Sequence, residues 1–171
     1  YNRSGDVLTK IADPATLPAG QGRGVSWSPD GTYLAVANVT SPYVTIYSRS
    51  GDVLTKLADP ATLPTGTGFG ASWTPDGNYL VITHATAPFL TMYSRSGSTF
   101  TKVADPATTP PATAYSGSWS PDGTYLSVAH GSSPFVTVYS RSGSVLTKLA
   151  NPASLPTGTG RGTAYSPTLN A

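Results

Sequence analysis

Apolar and polar positions in this chain fall into short runs of five to eight residues, separated by clusters of Gly, Pro, Asp, Ser and Thr. GVSWS at 24–28 leads into Pro29-Asp30-Gly31, a type I turn whose Gly can take the left-handed bulge position and so close a tight hairpin. TYLAVANV at 32–39 is mostly apolar with small alanines, the pattern of a strand covered on both faces. After Thr40-Ser41-Pro42 comes YVTIYSR at 43–49, rich in β-branched and aromatic residues. Ser50-Gly51 turns the chain again, and DVLTKLA at 52–58 reads as a fourth strand that Asp59-Pro60 ends. The stretch ATLPTGTG at 61–68 then carries the chain to the next unit.

The same pattern returns at a fixed period. Tyr1, Tyr47, Tyr93 and Tyr139 each open a Y-(S/N)-R-S-G sequence, always 46 residues apart and without a gap. Near-identity over this length points to recent duplication of one unit or to design. Four antiparallel strands per ~40–45 residues is the arithmetic of a propeller blade, which buries its two faces only by stacking on its neighbours. The predicted fold is therefore all-β: a β-propeller of four-stranded antiparallel blades on a 46-residue repeat. Residues 1–171 form one repeat array, with full blades expected at 24–58, 70–104 and 116–150. Partial blade strands are expected at 1–12 and 160–166. Three and a half blades fall short of the usual ~4–8. The expected partners are other copies of the same chain or further blades of a longer one.

The unit resembles the WD-repeat and YVTN-like propeller families at S-W-S-P-D-G-x-Y-L-A-V-A. That stretch occupies 26–37, 72–83 with Thr74 in place of Ser, and 118–129. It departs from WD repeats proper in having no Trp-Asp dipeptide and no Gly-His pair. In its style of repetition it looks most like the propellers of phage tail and bacterial surface proteins, which implies a structural or adhesive role outside the cell or in a virion.

Composition sharpens this picture at a few points. All eight acids are Asp and there is no Glu, a profile that disfavours long helices. Net charge is +2, from Lys and Arg spread about one of each per repeat and not in a run, so no nucleic-acid partner is expected. Cysteine is absent, which removes disulfides and thiolate metal sites. No apolar stretch approaches ~18 residues, and no membrane insertion is expected.

Most repeated residues have a structural explanation. Asp30, Asp76 and Asp122 sit one per blade in Pro-Asp-Gly turns, where turn chemistry accounts for them; a Ca²⁺ site would need ~6–8 oxygens converging. Arg3, Arg49, Arg95 and Arg141 stand beside outer turns as solvated or locally paired charges. Lys10, Lys56, Lys102 and Lys148 fall on the outermost strand, where an edge Lys guards against strand-to-strand association. Trp27, Trp73 and Trp119 occupy one position per blade and are expected to wedge between blades.

The informative positions are those that vary against this constant background. Arg23, Phe69, Tyr115 and Arg161 are equivalent by 46-residue steps yet differ sharply. Asn38, His84 and His130 are likewise equivalent, at the end of the second strand. Propeller topology brings both positions to one face near the axis, so these seven residues form the candidate ligand site, with aromatic and Arg side chains of the kind binding hot spots use. No metal or other cofactor is expected, since two histidines on neighbouring blades have no adjacent carboxylate. No nucleophile elbow, paired Glu or His-acid-nucleophile set is present, and Gly20-Gln-Gly-Arg-Gly24 precedes a strand and not the helix that a phosphate loop needs. The sequence thus reads as a non-enzymatic structural or adhesive module of an extracellular or virion assembly, with a glycan or a protein held at one face. The alternatives are a lectin-like or peptide-binding propeller with a specific ligand, and a fragment or engineered repeat protein without one.

Overall fold

The computed structural model describes residues 1–166. Its strands are β1 (Asn2–Ser4), β2 (Val7–Thr9), β3 (Gly22–Trp27), β4 (Tyr33–Asn38), β5 (Val44–Ser50), β6 (Val53–Lys56) and β7 (Gly68–Trp73), followed by β8 (Tyr79–His84), β9 (Leu90–Ser96) and β10 (Thr99–Lys102). The last four are β11 (Ala114–Trp119), β12 (Tyr125–His130), β13 (Val136–Ser142) and β14 (Val145–Lys148). There is no helix among the described residues. Three four-stranded antiparallel sheets, β3–β6, β7–β10 and β11–β14, each run in chain order, and β1 and β2 form a separate hairpin. The chain is an all-β array of four-stranded blades on a 46-residue repeat.

Each blade is built by the turns its sequence announces. In the Pro-Asp-Gly turn the Asp30 carboxylate accepts from Ser28 Oγ, Thr32 N and Thr32 Oγ1, and Gly31 takes a φ of 68° that only glycine adopts readily. Those hydrogen bonds, Ser28 foremost, hold the Asp30 carboxyl down at about 2. Gly51, at φ 57°, closes the outer hairpin in the same way.

No blade has a core of its own. One apolar cluster joins Ala35, Val44 and Ile46 of the first blade to Trp73, Leu80 and Phe100 of the second. A second cluster joins Val81, Leu90 and Met92 to Trp119, Leu126 and Leu146. The central strands are covered on both faces, as their apolar runs require. Tyr47, Tyr93 and Tyr139 are almost fully buried, and their hydroxyls donate to the carbonyls of Thr16, Thr62 and Thr108 at 2.9, 2.9 and 3.0 Å. Each blade's third strand thereby fixes the loop that leads into its own first strand.

The tryptophans show where stacking stops. Trp73 and Trp119 are 6% and 7% exposed, whereas Trp27 is 45% exposed: among the described residues no four-stranded blade covers its side of the first blade, where the N-terminal segment lies through Asn2 and Asp52. Residues 160–166, read above as an inner strand, are not in strand conformation. Among the described residues no second strand pairs with them; Gly160 N donates to His130 O, and Thr163 Oγ1 lies 2.5 Å from Ser127 Oγ. Residues 1–12, read as strand, resolve into the short β1–β2 hairpin, with every residue of both strands exposed.

A candidate ligand site at the axial mouth

The innermost strands β3, β7 and β11 lie side by side, with β7 between the other two. Each carries a bulge at its start. Gly22 pairs with Asn38 and Gly24 with Ala37, leaving Arg23 without a partner; the register skips Phe69 and Tyr115 in the same way. A bulge re-aims the extra side chain out of the pleat. In β3 and β7 glycine flanks the bulge, where the next blade's backbone passes against it: a Cβ on Gly24 would meet Phe69 O at 2.5 Å, while Ala114 and Ser116 hold these places in β11. Thr67 and Thr113, just ahead of β7 and β11, donate to Val39 O and Ala85 O of the preceding blade, both at 3.2 Å.

The bulged side chains form a continuous ladder. The Arg23 guanidinium lies 4.9 Å from the Phe69 ring centroid, Phe69 meets Tyr115 edge-on at 5.1 Å, and the Arg161 guanidinium lies 4.5 Å from the Tyr115 ring. The four residues, with Gln21 and Gly22, line a wide shallow recess of about 470 Å³. Stacking on a ring holds a guanidinium in plane while its N–H edge stays free, so the two arginines can offer bidentate donors to an anion. The lining holds no carboxylate to neutralise them.

Asn38, His84 and His130 do not join this ladder; all three are 0% exposed. Asn38 donates to Thr40 O and accepts from Thr45 Oγ1. His84 Nε2 lies 3.0 Å from Thr91 Oγ1, and His130 Nε2 lies 2.9 Å from Thr137 Oγ1. Neither Nδ1 makes a hydrogen bond of good geometry, although the nearby Thr86 backbone slightly favours a proton on His84. Burial pulls His84 down to about 4 and lowers His130 as well, so both rings are neutral at physiological pH. They tie the second strand to the third beneath the mouth.

The rim arginines have a role that sequence reasoning missed. Arg95 Nε donates to Gly77 O of its own blade at 2.8 Å, while its guanidinium covers Tyr33 of the preceding blade at 5.0 Å and stands 3.8 Å from Asp30. Arg141 repeats this with Gly123 O, Tyr79 and Asp76. The 46-residue recurrence of both Asp and Arg was the available signal, but pairing them needed the blade stacking. Among the described residues no group of three or more His, Cys, Asp or Glu could hold a metal ion, and no helix is long and apolar enough to cross a membrane.

No family model matches the chain, and none of the curated proteins does. Solved structures do. A candidate 6-phosphogluconolactonase from Bacteroides fragilis superposes with a TM-score of 0.68 at 17% identity, covering 86% of this chain and 42% of the other. A second such protein, from Bacteroides uniformis, gives 0.67 at 19%, covering 78% and 40%. The periplasmic gluconolactonase of Pseudomonas aeruginosa gives 0.58 at 22%, covering 81% and 45%. The chain thus spans less than half the length of each of these proteins. Their likeness corrects two expectations. The similar propellers carry lactonase names and not WD-repeat, YVTN-like or phage-tail ones, so neither the expected kinship nor the reading as a non-enzymatic structural or adhesive virion module stands. At these identities the likeness shows the fold alone.

Proposed function

We propose that this chain is part of a propeller enzyme that acts on a small anionic sugar lactone or sugar acid, held at the axial mouth by Arg23, Phe69, Tyr115 and Arg161. The observation that carries this is the ladder, which sets two stacked guanidiniums at either end of an aromatic pair. Such a surface takes carboxylate or phosphate through the arginines, and the Tyr115 hydroxyl adds a donor for a sugar oxygen. In lactone opening, charge develops on the carbonyl oxygen, and a guanidinium already fixed in place stabilises that charge without reorganising. Because the lining residues include neither carboxylate nor imidazole, we assign them binding and oxyanion stabilisation, with proton transfer supplied from further blades of the ring. Those blades come from other copies of the chain or from a longer chain. Support for the substrate class comes from the gluconolactonase names among the similar propellers, one of them periplasmic, which also favours an exported location.

Calorimetric titration with 6-phosphogluconate tests the reading. Binding is expected to weaken as salt rises. It should fall by about tenfold or more in an Arg23→Gln/Arg161→Gln variant, since charged hydrogen bonds to an anion are lost. Both arginines are exposed, so melting should be unchanged. Binding that survives the double substitution places the ligand elsewhere.

A further inference from the structure

One face of the first blade contains a recess of about 280 Å³ whose blade wall is Trp27, Arg49, Asp52 and Leu54; Tyr1, Asn2 and Ile11 line it too, and Asn2 Nδ2 donates to Asp52 Oδ2 at 3.2 Å. Stepped forward by one 46-residue repeat, those four positions are Trp73, Arg95, Ser98 and Phe100. These are the residues that enclose Tyr33 of the preceding blade. Trp73 stacks on Tyr33 at 6.3 Å, Phe100 meets its edge at 6.0 Å, Arg95 covers its face at 5.0 Å, and its hydroxyl lies 3.3 Å from Ser98 Oγ. The recess is therefore built like the tyrosine socket of the next blade, with the N-terminal segment along its wall.

Arg49 shows the same thing independently. Arg95 and Arg141 send Nε to Gly77 O and Gly123 O, the Pro-Asp-Gly turns of their own blades, and present their guanidiniums to an Asp of the blade before. Among the described residues no such blade faces Arg49. Its Nε folds back onto Gly51 O at 2.8 Å, and its guanidinium lies over its own Trp27 at 5.6 Å.

The complementary group is at the other end of the array. Tyr125 is the repeat equivalent of Tyr33 and Tyr79, and it is 40% exposed. Asp122 is the equivalent of Asp30 and Asp76, but its hydrogen bonds among the described residues stay within its own turn, to Ser120 and Thr124.

We propose that the Trp27 socket seats Tyr125 of a second copy of this chain, with Arg49 of one copy facing Asp122 of the other, so that copies join head to tail through the contact already seen between blades. The new interface continues an existing one, and its charges match. Two copies also supply about the length of the solved propellers, of which one copy spans 40%, 42% and 45%. Residues 160–166 lie against the third blade through Ser127 and Thr163, and Tyr1 and Asn2 line the socket, so seating a second copy displaces both segments.

Sedimentation equilibrium over a range of concentrations tests this, with the Trp27 emission wavelength as a local readout. The wild-type chain is expected to self-associate with a blue shift of Trp27 fluorescence. Arg49→Asp should weaken association by about tenfold or more through like-charge repulsion, and Arg49→Asp/Asp122→Arg should restore it. Tyr125→Ala, which leaves the Pro-Asp-Gly turn intact, should weaken association comparably. A wild-type chain that stays monomeric at high micromolar concentration overturns the proposal. So does association indifferent to Arg49 and Tyr125, which would mean that a different surface, or a blade from a longer chain, covers the socket.

Discussion

Equivalent residues in neighbouring repeats meet different surroundings, which makes them internal controls for one another. Trp73 is 6% exposed against Tyr33 and Phe100 and donates from Nε1 to Ser26 O at 3.3 Å, while Trp27 is 45% exposed. Trp73→Ala should cost ~3–5 kcal/mol, the loss typical of a buried large aromatic, and Trp27→Ala well under half of that. Urea denaturation of the two variants, at concentrations low enough to keep the chain monomeric, checks the pair; equal losses would show that Trp27 is buried within the single chain. The histidines allow a similar comparison. In the unfolded chain they take up protons as pH falls through their ordinary value of 6.5, but buried His84 resists protonation until about 4. The unfolded state binds more protons across that window, so the stability they contribute is complete above 6.5 and is lost as pH falls towards 4. His84→Asn/His130→Asn installs the residue already present at Asn38, and thermal melts should show a flatter decline between pH 6.5 and 4. An unchanged slope would mean that these rings do not control it.

Strands and blades were legible in the sequence because their turns announce themselves. Pro-Asp-Gly and Ser-Gly fixed the hairpins, and a single central run such as YLAVAN, apolar but for its last residue, pointed to cover on both faces. Two features lay outside that reading. The bulges that carry Arg23, Phe69 and Tyr115 leave only a Gly-x-Gly-like trace, which by itself says close backbone approach without saying which residue is extruded. The loop after the second strand puts Tyr43, Phe89 and Phe135 at φ 64°, 69° and 67°, where a sequence argument expects glycine. The candidate site was half legible: variation singled out both sets of positions, but whether a side chain at a strand end faces the axis or the interior depends on that bulge. Arg23, Phe69, Tyr115 and Arg161 came together, and Asn38, His84 and His130 went inside. At the opposite rim, the Asp–Arg–aromatic clamp belongs to a pair of blades. Arg95→Ala should therefore cost ~1–2 kcal/mol, from a hydrogen bond and a cation–π contact together, and Arg49→Ala under ~0.5. Chemical denaturation reads both, and equal costs would remove the interblade role.

At the scale of the whole molecule, the array is held together between blades and its inner ends converge on a basic, aromatic mouth. The fold is shared with propellers named as lactonases, of which this chain covers 40%, 42% and 45%, and the ladder is contained in this chain. On the proposed function, what this chain binds is separable from what a completed ring does with it, and binding can be located residue by residue. The direct measurement is a titration of ¹⁵N-labelled protein with 6-phosphogluconate, followed at the arginine Nε–H resonances. The account predicts that Arg23 and Arg161 shift together and saturably, while Arg49, Arg95 and Arg141 on the opposite rim hold still. Shifts confined to the rim arginines, or none at any concentration, would contradict it.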